Sequence, residues 1–356
     1  MFRIEARRAN TMVYCLKVGK VHGETVLKIL RKHGLIDYSF KIEKVNEYLY
    51  IPVKISDFEK LPLEVRKVSV GLIECKLKKR FHVRTYKDYL ADKMPKNVFE
   101  KLPTSYDIVG EAIFVRLQNI PEKYWSYIGE ALLKLHGNKK AVYAIVGETA
   151  GTERVLPLKL IAGSPVDKTV YVEHGCKFVV YIGKTYVNPS LSYEHKRVSE
   201  QVLDYEKVLD MFAGIGCFSM LIAKYKKAKV YAVDINPYAI KSIIESMVLN
   251  KLKGTVIPIL ADSSKIHGFL HKNFDRIIMN LPGLSHNFIK YALNLLSDEG
   301  GIIHYYRFAY TSLEPVIEFA SEALKYNRRI IKVMNVRRVL EASPTKRLYV
   351  VDFYVT

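Results

Sequence analysis

Residues 207–219 read Lys-Val-Leu-Asp-Met-Phe-Ala-Gly-Ile-Gly-Cys-Phe-Ser, an apolar strand pattern that runs through two glycines into a helix pattern. Gly214 and Gly216 let the backbone turn tightly and approach a ligand, because glycine has no β-carbon. The new helix would point its first N–H groups at that ligand. Asp234 ends the next strand pattern, 18 residues after Gly216, and a carboxylate there can accept hydrogen bonds from both ribose hydroxyls. This stretch therefore predicts a strand–turn–helix that binds a nucleoside.

The loop differs from the pattern that binds dinucleotides. Ser219 stands where that pattern has its third glycine, so we expect the loop to bind a pyrophosphate poorly. Asp210 lies at the mouth of the loop, where a second carboxylate repels phosphates and suits a cationic ligand. S-adenosylmethionine carries an amino group and a sulfonium but no phosphate, and Asp262, after the third strand pattern, is placed to meet its adenine amino group. We therefore predict S-adenosylmethionine as the ligand, in preference to an ordinary turn with two exposed acids.

The sequence alternates between buried-type strand patterns and helix-length segments from residue 194 onward. That alternation is typical of βαβ units in a doubly wound parallel sheet. Two further strand patterns, 333–339 and 348–354, predict a closing antiparallel pair joined through Ser343-Pro344. The parallel strands are expected at 208–212, 230–233, 256–260, 276–279 and 302–306.

Shorter strand patterns, broken by glycine and proline and interrupted by a few helices, precede this alternating region. The chain is therefore predicted to be an α/β protein. With S-adenosylmethionine as the predicted ligand, its Rossmann-like domain would be of the class I methyltransferase type and would follow two smaller α+β domains. The expected domains are 1–60, 61–177 and 178–356.

The net charge indicates the kind of partner. The 356 residues include 56 Lys and Arg against 36 Asp and Glu, a formal charge of +20. A lysine-rich thermophilic surface would be better balanced in sign, so we predict a nucleic-acid partner.

The cysteines and the apolar runs exclude other classes of protein. The four cysteines lie far apart with no Cys-x-x-Cys pair, so we expect neither a zinc site nor a disulfide framework. The first ten residues lack the apolar core of a signal peptide, and no uncharged apolar run reaches the ~18 residues of a membrane span. We therefore expect a cytoplasmic monomer with no metal and no membrane partner.

A polar residue closes the fourth strand pattern. Residues 277–283 read Ile-Ile-Met-Asn-Leu-Pro-Gly, which places Asn280 at the carboxyl end of a central strand. Doubly wound folds bind their ligands at that edge. The Asn-x-Pro turn is rigid and its amide can read the edge of a planar base; the alternative is a turn that merely ends the strand.

These motifs, in this order, resemble the archaeal and eukaryal type of tRNA (guanine-37-N1)-methyltransferase, over nearly the whole chain. The resemblance implies three parts: a first domain on the outer corner of the L-shaped tRNA, a second on the anticodon arm, and a third that holds S-adenosylmethionine and the flipped base. It rests on residues 209–218, 232–237 and 280–282, on 159–163, 173–178, 186–189 and Glu194, and on 336–339.

The resemblance also implies roles for single residues. Methylation of guanine N1 needs a base that removes the proton and a cation that stabilises charge on O6. By family position Glu194 would be the base, Arg154 the partner of O6 and Asn280 the residue that orients the purine. Without the resemblance, Glu194 would be a helix-start carboxylate and Arg154 a phosphate contact. The other predicted site residues are Asp210, Phe212, Gly214, Gly216, Asp234, Ile235 and Asp262, with Asn280 again, for the cofactor, and Tyr186, His195, Arg197 and Pro282 for the tRNA.

Two positions depart from the family pattern. Family members commonly carry arginine directly after the catalytic glutamate and after the proline of the Tyr-x-x-Pro stretch. This chain has His195 and Ser190 there, with Arg197 two residues beyond His195. The altered pocket edge keeps open a second reaction of the family, methylation of carbon 7 of 4-demethylwyosine at position 37 of phenylalanine tRNA, alone or besides guanosine methylation.

Three further alternatives differ in the chemistry performed. They are transfer of the aminocarboxypropyl group of S-adenosylmethionine, a non-catalytic tRNA-binding protein and a protein methyltransferase. Asp234, Asn236-Pro237 and the Asn-Leu-Pro turn favour methyl transfer over aminocarboxypropyl transfer. A protein that only binds tRNA needs no cofactor motif, and the positive charge fits RNA better than a protein substrate.

Overall fold

The computed structural model describes residues 11–77, 85–148, 151, 153, 155–341 and 345–356. The chain divides into two compact units, Met1–Phe99 and Glu100–Thr356. The α-helices are α1 (Gly23–Lys32), α2 (Leu63–Val68), α3 (Lys96–Phe99), α4 (Trp125–Leu135), α5 (Ser192–Gln201), α6 (Cys217–Tyr225), α7 (Pro237–Val248), α8 (Ile289–Leu295) and α9 (Glu314–Lys325). The strands are β1 (Thr11–Gly19), β2 (Glu43–Val45), β3 (Tyr48–Pro52), β4 (Ser69–Leu77), β5 (Asp107–Val109), β6 (Ala112–Arg116), β7 (Ala141–Ile145), β8 (Leu158–Gly163), β9 (Lys168–Glu173), β10 (Cys176–Tyr181), β11 (Lys207–Asp210), β12 (Lys229–Asp234), β13 (Thr255–Leu260), β14 (Arg276–Met279), β15 (Gly301–Ala309), β16 (Ile330–Glu341) and β17 (Arg347–Val355).

The first unit is an antiparallel sheet in the order β2-β3-β1-β4 with α1 packed on it. Val26 and Leu30 lie one helical turn apart, so they share one face of α1 and are both fully buried. They meet Leu16 and Ile51 from the sheet in a single apolar cluster. The amphipathic pattern of the helix thus accounts for the core of this unit.

A disulfide joins two strands of the first unit. Cys15 on β1 and Cys75 on β4 are 60 residues apart in sequence, and the antiparallel pairing of these strands brings them together. The wide spacing of the cysteines led us to expect no disulfide framework. The sequence did not indicate this disulfide, because spacing alone does not show that β1 and β4 are neighbours. Cys176 and Cys217 are free and buried.

The second unit begins with a smaller sheet in the order β5-β6-β7-β8, where β6 and β7 are parallel and the outer pairs antiparallel. Strands β9 and β10 form a separate antiparallel hairpin. Phe114 and Tyr143 from the small sheet and Phe178 from the hairpin share one core with residues of α6 and α7. The small sheet, the hairpin and the larger sheet described next are therefore packed around common apolar side chains.

The larger sheet has seven strands in the order β13-β12-β11-β14-β15-β17-β16. Its first five strands are parallel, and β17 pairs antiparallel with both β15 and β16. Strands β11 and β14 are almost entirely buried, because helices cover both faces of the sheet. This topology confirms the prediction of a Rossmann-like α/β fold with a closing antiparallel pair.

The strand order reverses between β11 and β14, since the chain builds β12 and β13 on one side and β15 on the other. The loops that follow β11 and β14 therefore leave the sheet side by side, where doubly wound folds bind ligands. The Met211 N–H donates to the Ile278 carbonyl at 3.1 Å and the Ala213 N–H to the Val233 carbonyl at 2.9 Å. Backbone hydrogen bonds thus fix the base of this edge.

The observed elements cross two of the predicted domain boundaries. The first sheet extends to Leu77, past residue 60, and the β9-β10 hairpin spans residue 177. The three-domain division remains a proposal. Among the residues that the structure describes, no helix has both the length and the apolar character that a membrane span needs.

Candidate active site at the carboxyl edge of the sheet

The glycine loop between β11 and α6 has a backbone that favours glycine. Gly214 and Gly216 have φ values of +54° and +86°, in the left-handed region. A β-carbon on Gly216 would lie 2.9 Å from the side chain of Ile243, so the close packing of α7 also requires glycine there. Both predicted glycines therefore shape the turn for a physical reason.

Asp234 holds this loop from the neighbouring strand. Its Oδ2 accepts a hydrogen bond from the Gly214 N–H at 2.7 Å, and its Oδ1 accepts one from the Asn236 N–H at 2.9 Å. Burial raises the pKa of Asp234. The half-buried carboxylate is thus oriented by the backbone, and each of its oxygens can accept a further hydrogen bond.

Asp210 lies at the end of β11 and is completely buried. Its Oδ2 accepts a hydrogen bond from the Ser219 hydroxyl at 2.7 Å, while its Oδ1 has no hydrogen-bond partner among the described residues. Burial, with a smaller contribution from Asp234, raises the pKa of Asp210 to about 7. Ser219, which the sequence marked only as a missing glycine, therefore positions a carboxylate whose other oxygen suits the ammonium of a ligand.

We expect S-adenosylmethionine to bind about tenfold more tightly at about pH 7.5 than at about pH 5.5. Ionised Asp210 attracts the ligand ammonium, and the fraction of ionised Asp210 rises over this range because its pKa is near 7. Calorimetric titrations across the range measure the slope. Asp210→Asn should bind weakly with a flat profile; an equally steep profile in that variant would assign the titration to another group.

The turn after β14 presents an amide to the same edge. Asn280 follows Met279 directly, and its Oδ1 is buried without a hydrogen-bond partner in the described part of the chain. Arg307 donates to the carbonyls of Pro282 and Gly283, both at 3.3 Å. Arg307 thus stabilises the turn through two of its carbonyl groups, and the Asn280 amide oxygen receives no hydrogen bond from the described residues.

Glu194 lies in the first turn of α5 and is only 1% exposed. Its Oε1 accepts hydrogen bonds from Arg197 Nη2 at 2.7 Å and from the Tyr306 hydroxyl at 2.6 Å, and its Oε2 accepts one from Arg197 Nε at 2.9 Å. Arg337 Nη1 lies 3.8 Å from Oε2, with its guanidinium over the ring of Tyr193. Glu194 therefore lies at a helix start, as an acid favoured by the helix dipole would, but it is also buried and ion-paired with Arg197.

His195 is buried in the core rather than open at a pocket edge. Its Nδ1 is 2.8 Å from Glu173 Oε1, and its ring packs edge-on against Phe218 with the centroids 4.6 Å apart. An arginine at position 195 would bring its guanidinium into this packed cluster. The predicted contact of His195 with the tRNA base thus finds no support in its placement, whereas Ser190 is exposed.

Three buried side chains of this region could in principle hold a metal. The ligating atoms of Glu173, His195 and Cys217 all lie within 4.8 Å of one another. Glu173 already accepts a hydrogen bond from the Tyr171 hydroxyl at 2.8 Å, and burial raises the pKa of Cys217 well above its usual value. Because a metal ligand must be a thiolate, the cluster fits a hydrogen-bonded core better than a metal site.

The remaining predicted cofactor residues lie around the same edge. Ile235 follows Asp234 and is exposed. Asp262 follows β13, and its Oδ1 accepts hydrogen bonds from the N–H and the hydroxyl of Ser264, both at 2.8 Å, which lower its pKa. Phe212 packs edge-on against Phe288, with centroids 4.9 Å apart.

Tyr186, one of the predicted pocket residues, lies beside the glycine loop. A β-carbon built on Gly214 would lie 3.9 Å from the Tyr186 carbonyl oxygen, and the Tyr186 side chain is 39% exposed. Arg154 lies outside the described residues.

Comparisons of the sequence and of the fold with known proteins identify relatives of this chain. The model of the TRM5/TYW2 methyltransferase domain matches residues 169–336. Models of the tRNA methyltransferase 5 N-terminal domain and the TYW2 N-terminal domain match residues 15–60 and 86–166. The tRNA (guanine(37)-N(1))-methyltransferase Trm5b of Pyrococcus abyssi is 34% identical over 353 residues, which cover 97% of this chain and 100% of that protein.

The chain belongs to the TRM5/TYW2 methyltransferase family. The crystal structure of aTrm5 with tRNALeu has a TM-score of 0.76 to this fold at 32% identity, and the match covers 96% of this chain and 99% of that chain. The tRNA 4-demethylwyosine(37)-methyltransferase Taw21 of Saccharolobus solfataricus is 35% identical over 202 residues, 56% of this chain and 76% of that protein. The resemblance inferred from the motifs is confirmed.

Sequence reasoning missed several residues of this TRM5/TYW2 family site. Each of three such residues hydrogen-bonds to a predicted site residue: Ser219 to Asp210, Tyr306 to Glu194 and Asp352 to Arg197. Asp352 did carry a sequence signal, because it is a lone acid within the apolar stretch 348–354. Tyr306 carried none, since a tyrosine in a buried strand pattern is ordinary.

Proposed function

We propose that this protein transfers the methyl group of S-adenosylmethionine to N1 of guanosine at position 37 of tRNA. The proposal depends on two buried oxygens, Asp210 Oδ1 and Asn280 Oδ1, at the ends of the adjacent strands β11 and β14. Neither oxygen has a hydrogen-bond partner within the described ranges of the chain. One is an acceptor for an ammonium group and the other an acceptor for an amino or imino group of a purine. A site with these two acceptors side by side suits S-adenosylmethionine together with a base.

Three residues of the chain would each have a separate role in the reaction. S-adenosylmethionine, when bound, supplies an electrophilic methyl group and leaves as S-adenosylhomocysteine. Glu194 Oε2 accepts the proton of guanine N1, because Oε2 receives one hydrogen bond, from Arg197 Nε, whereas Oε1 receives two. Asn280 orients the purine, and Arg154, from its family position, stabilises the charge that develops on O6.

The tRNA would be held through its phosphates by the basic surface. The chain carries a formal charge of +20. The aTrm5 chain in the crystal structure with tRNALeu matches almost the full length of this chain. We infer that the predicted domain 61–177 contacts the anticodon arm and that the predicted domain 1–60 contacts the outer corner of the tRNA, with one protein molecule per tRNA.

We expect the affinity for tRNA to fall at least tenfold between about 50 mM and about 200 mM salt, because Lys and Arg contacts to phosphates release counterions. Filter binding or fluorescence anisotropy at several salt concentrations measures the slope. The affinity for S-adenosylmethionine serves as the control and should change little. A flat tRNA affinity would mean that the positive charge only keeps the protein soluble.

The decisive experiment compares two substrates. The protein is incubated with labelled S-adenosylmethionine and phenylalanine tRNA that carries guanosine or 4-demethylwyosine at position 37, and the nucleosides are identified by mass. N1-methylguanosine would support the proposal. Label in neither tRNA, with intact tRNA binding, would support a non-catalytic role.

Methylation of 4-demethylwyosine at carbon 7 is the second candidate. It is favoured by the similarity to Taw21 and by the small, exposed Ser190 where an arginine is usual in the family. A short side chain there leaves room for the third ring of the tricyclic base. A C7-methylated product from the second tRNA would establish this reaction, alone or beside the first.

A further inference from the structure

A continuous chain of buried polar side chains leads from Glu194 across the large sheet. Arg197 binds Glu194 through Nε and Nη2, and it binds Asp352 through Nη1 at 2.6 Å and Nη2 at 3.2 Å. Asp352 Oδ1 is in turn 2.6 Å from His304 Nδ1, and Arg276 Nη1 lies 2.9 Å from His304 Nε2. Glu194, His304 and Asp352 are each at most 1% exposed.

The partners determine where the protons are. Arg276 can only donate, so His304 Nε2 accepts, and the proton of the ring lies on Nδ1 and is donated to Asp352. Burial lowers the pKa of His304, although Asp352 opposes this. Burial alone would raise the pKa of Asp352, but His304 and Arg197 hold it well below its ordinary value. Asp352 is therefore ionised, and a single guanidinium, that of Arg197, is shared by two carboxylates.

We propose that Asp352 increases the proton affinity of Glu194 by competing with it for Arg197, and thereby makes Glu194 a stronger base. With both carboxylates ionised, the trio of Glu194, Arg197 and Asp352 carries one net negative charge. When Glu194 takes up a proton, the trio becomes neutral. Without Asp352 the same uptake would leave a buried guanidinium with no anionic partner, which is costly in a low dielectric.

The other groups that face the trio leave this balance in place. The Tyr306 hydroxyl donates to Glu194, and burial raises the pKa of Tyr306 well above its usual value, so it stays neutral. Arg337, from β16, is 3.8 Å from Glu194 and partly exposed to solvent, which screens it. Arg276 is paired with Glu206 at 2.7 Å, and Asn335 donates to Asp352 at 3.4 Å.

The inference rests on the proposed function of Glu194, and its test is the pH dependence of the methyl-transfer step. Single-turnover rates on guanosine-37 tRNA are measured with saturating S-adenosylmethionine. Asp352→Asn should move the acid limb of the profile down by about one pH unit and lower the plateau rate about tenfold. Asn335→Asp, which adds a carboxylate beside Asp352 at a half-buried position, should move the limb in the opposite direction.

Three controls separate the effect of charge from an effect on the structure. Met334→Asp adds a carboxylate to the same strand at an exposed side chain, and its profile should overlay that of the wild type. Asp352→Glu keeps the charge and should restore the limb toward its wild-type position. In a Glu194→Gln background, Asp352→Asn should leave the residual rate unchanged, because no base remains to be tuned.

The outcomes distinguish the two proposals. A wild-type protein that forms no N1-methylguanosine contradicts the proposed function and this inference together. An active wild type whose profile matches those of Asp352→Asn and Asn335→Asp contradicts this inference alone. If Asp352→Asn does not fold, the direction of the shift in Asn335→Asp decides.

Discussion

Glu194→Gln is expected to lower kcat for N1 methylation of guanosine by about 10²–10⁴-fold, the usual contribution of a general base. Glutamine keeps the size of the side chain but cannot accept the N1 proton. KM for tRNA and the affinity for S-adenosylmethionine should change little, because the lost interaction belongs to the transition state. Single-turnover kinetics with mass identification of the product measures the effect.

A matched variant lies on the same helix. Glu200 is exposed and forms a surface ion pair with Lys196 at 3.6 Å, so Glu200→Gln should leave kcat within about twofold of the wild type. Thermal unfolding of both variants shows whether the fold is intact, since Glu194→Gln weakens a buried pair with Arg197. Comparable rates in the two variants would remove Glu194 from the reaction.

Asp234→Ala is expected to weaken S-adenosylmethionine binding by about 10–100-fold, from the loss of charge-assisted hydrogen bonds. Two effects combine. The ribose hydroxyls lose their acceptor, and the N–H groups of Gly214 and Asn236 lose theirs. We therefore expect the shape of the loop to change in this variant as well.

Calorimetry of two further variants separates these effects. Asp234→Asn retains one carbonyl oxygen for the Gly214 N–H and should lose less affinity than Asp234→Ala. Asp298→Ala serves as the control, because Asp298 is exposed and pairs with Lys272 in the turn before β15, away from the glycine loop. Unchanged affinity in Asp234→Ala would exclude this carboxylate from the cofactor site.

The sequence predicts the large sheet and its glycine loop well because both are encoded locally. Apolar runs separated by helix-length segments specify parallel strands, and two glycines followed by a helix specify the turn. Asp210, Asp234 and Asn280 come directly at or after strand ends, so the topology alone brings them to one edge. Their placement follows from rules that need no tertiary contact.

The interior of the site depends on contacts between distant segments, which local patterns do not encode. Nothing near His195 in sequence shows that Glu173 and Phe218 enclose it, and a family comparison alone placed it at a pocket edge. Ser219 and Asp210 are only nine residues apart in sequence. Their hydrogen bond nevertheless depends on the positive φ values of Gly214 and Gly216, which lie between them. Burial of a charged residue such as Glu194 cannot be predicted from the sequence until its distant partner, here Tyr306, is known.

The position of β17 between β15 and β16 has a consequence for the order of folding. Arg197 and Asp352 are 155 residues apart, and contacts of such separation tend to close late because loop closure costs entropy. Residues 207–234, which carry the glycine loop and Asp234, pair over a much shorter span. A partly folded molecule could therefore assemble its nucleoside-binding half while Glu194 and Arg197 still lacked Asp352. Chemical competence would be among the last properties that the folding chain acquires.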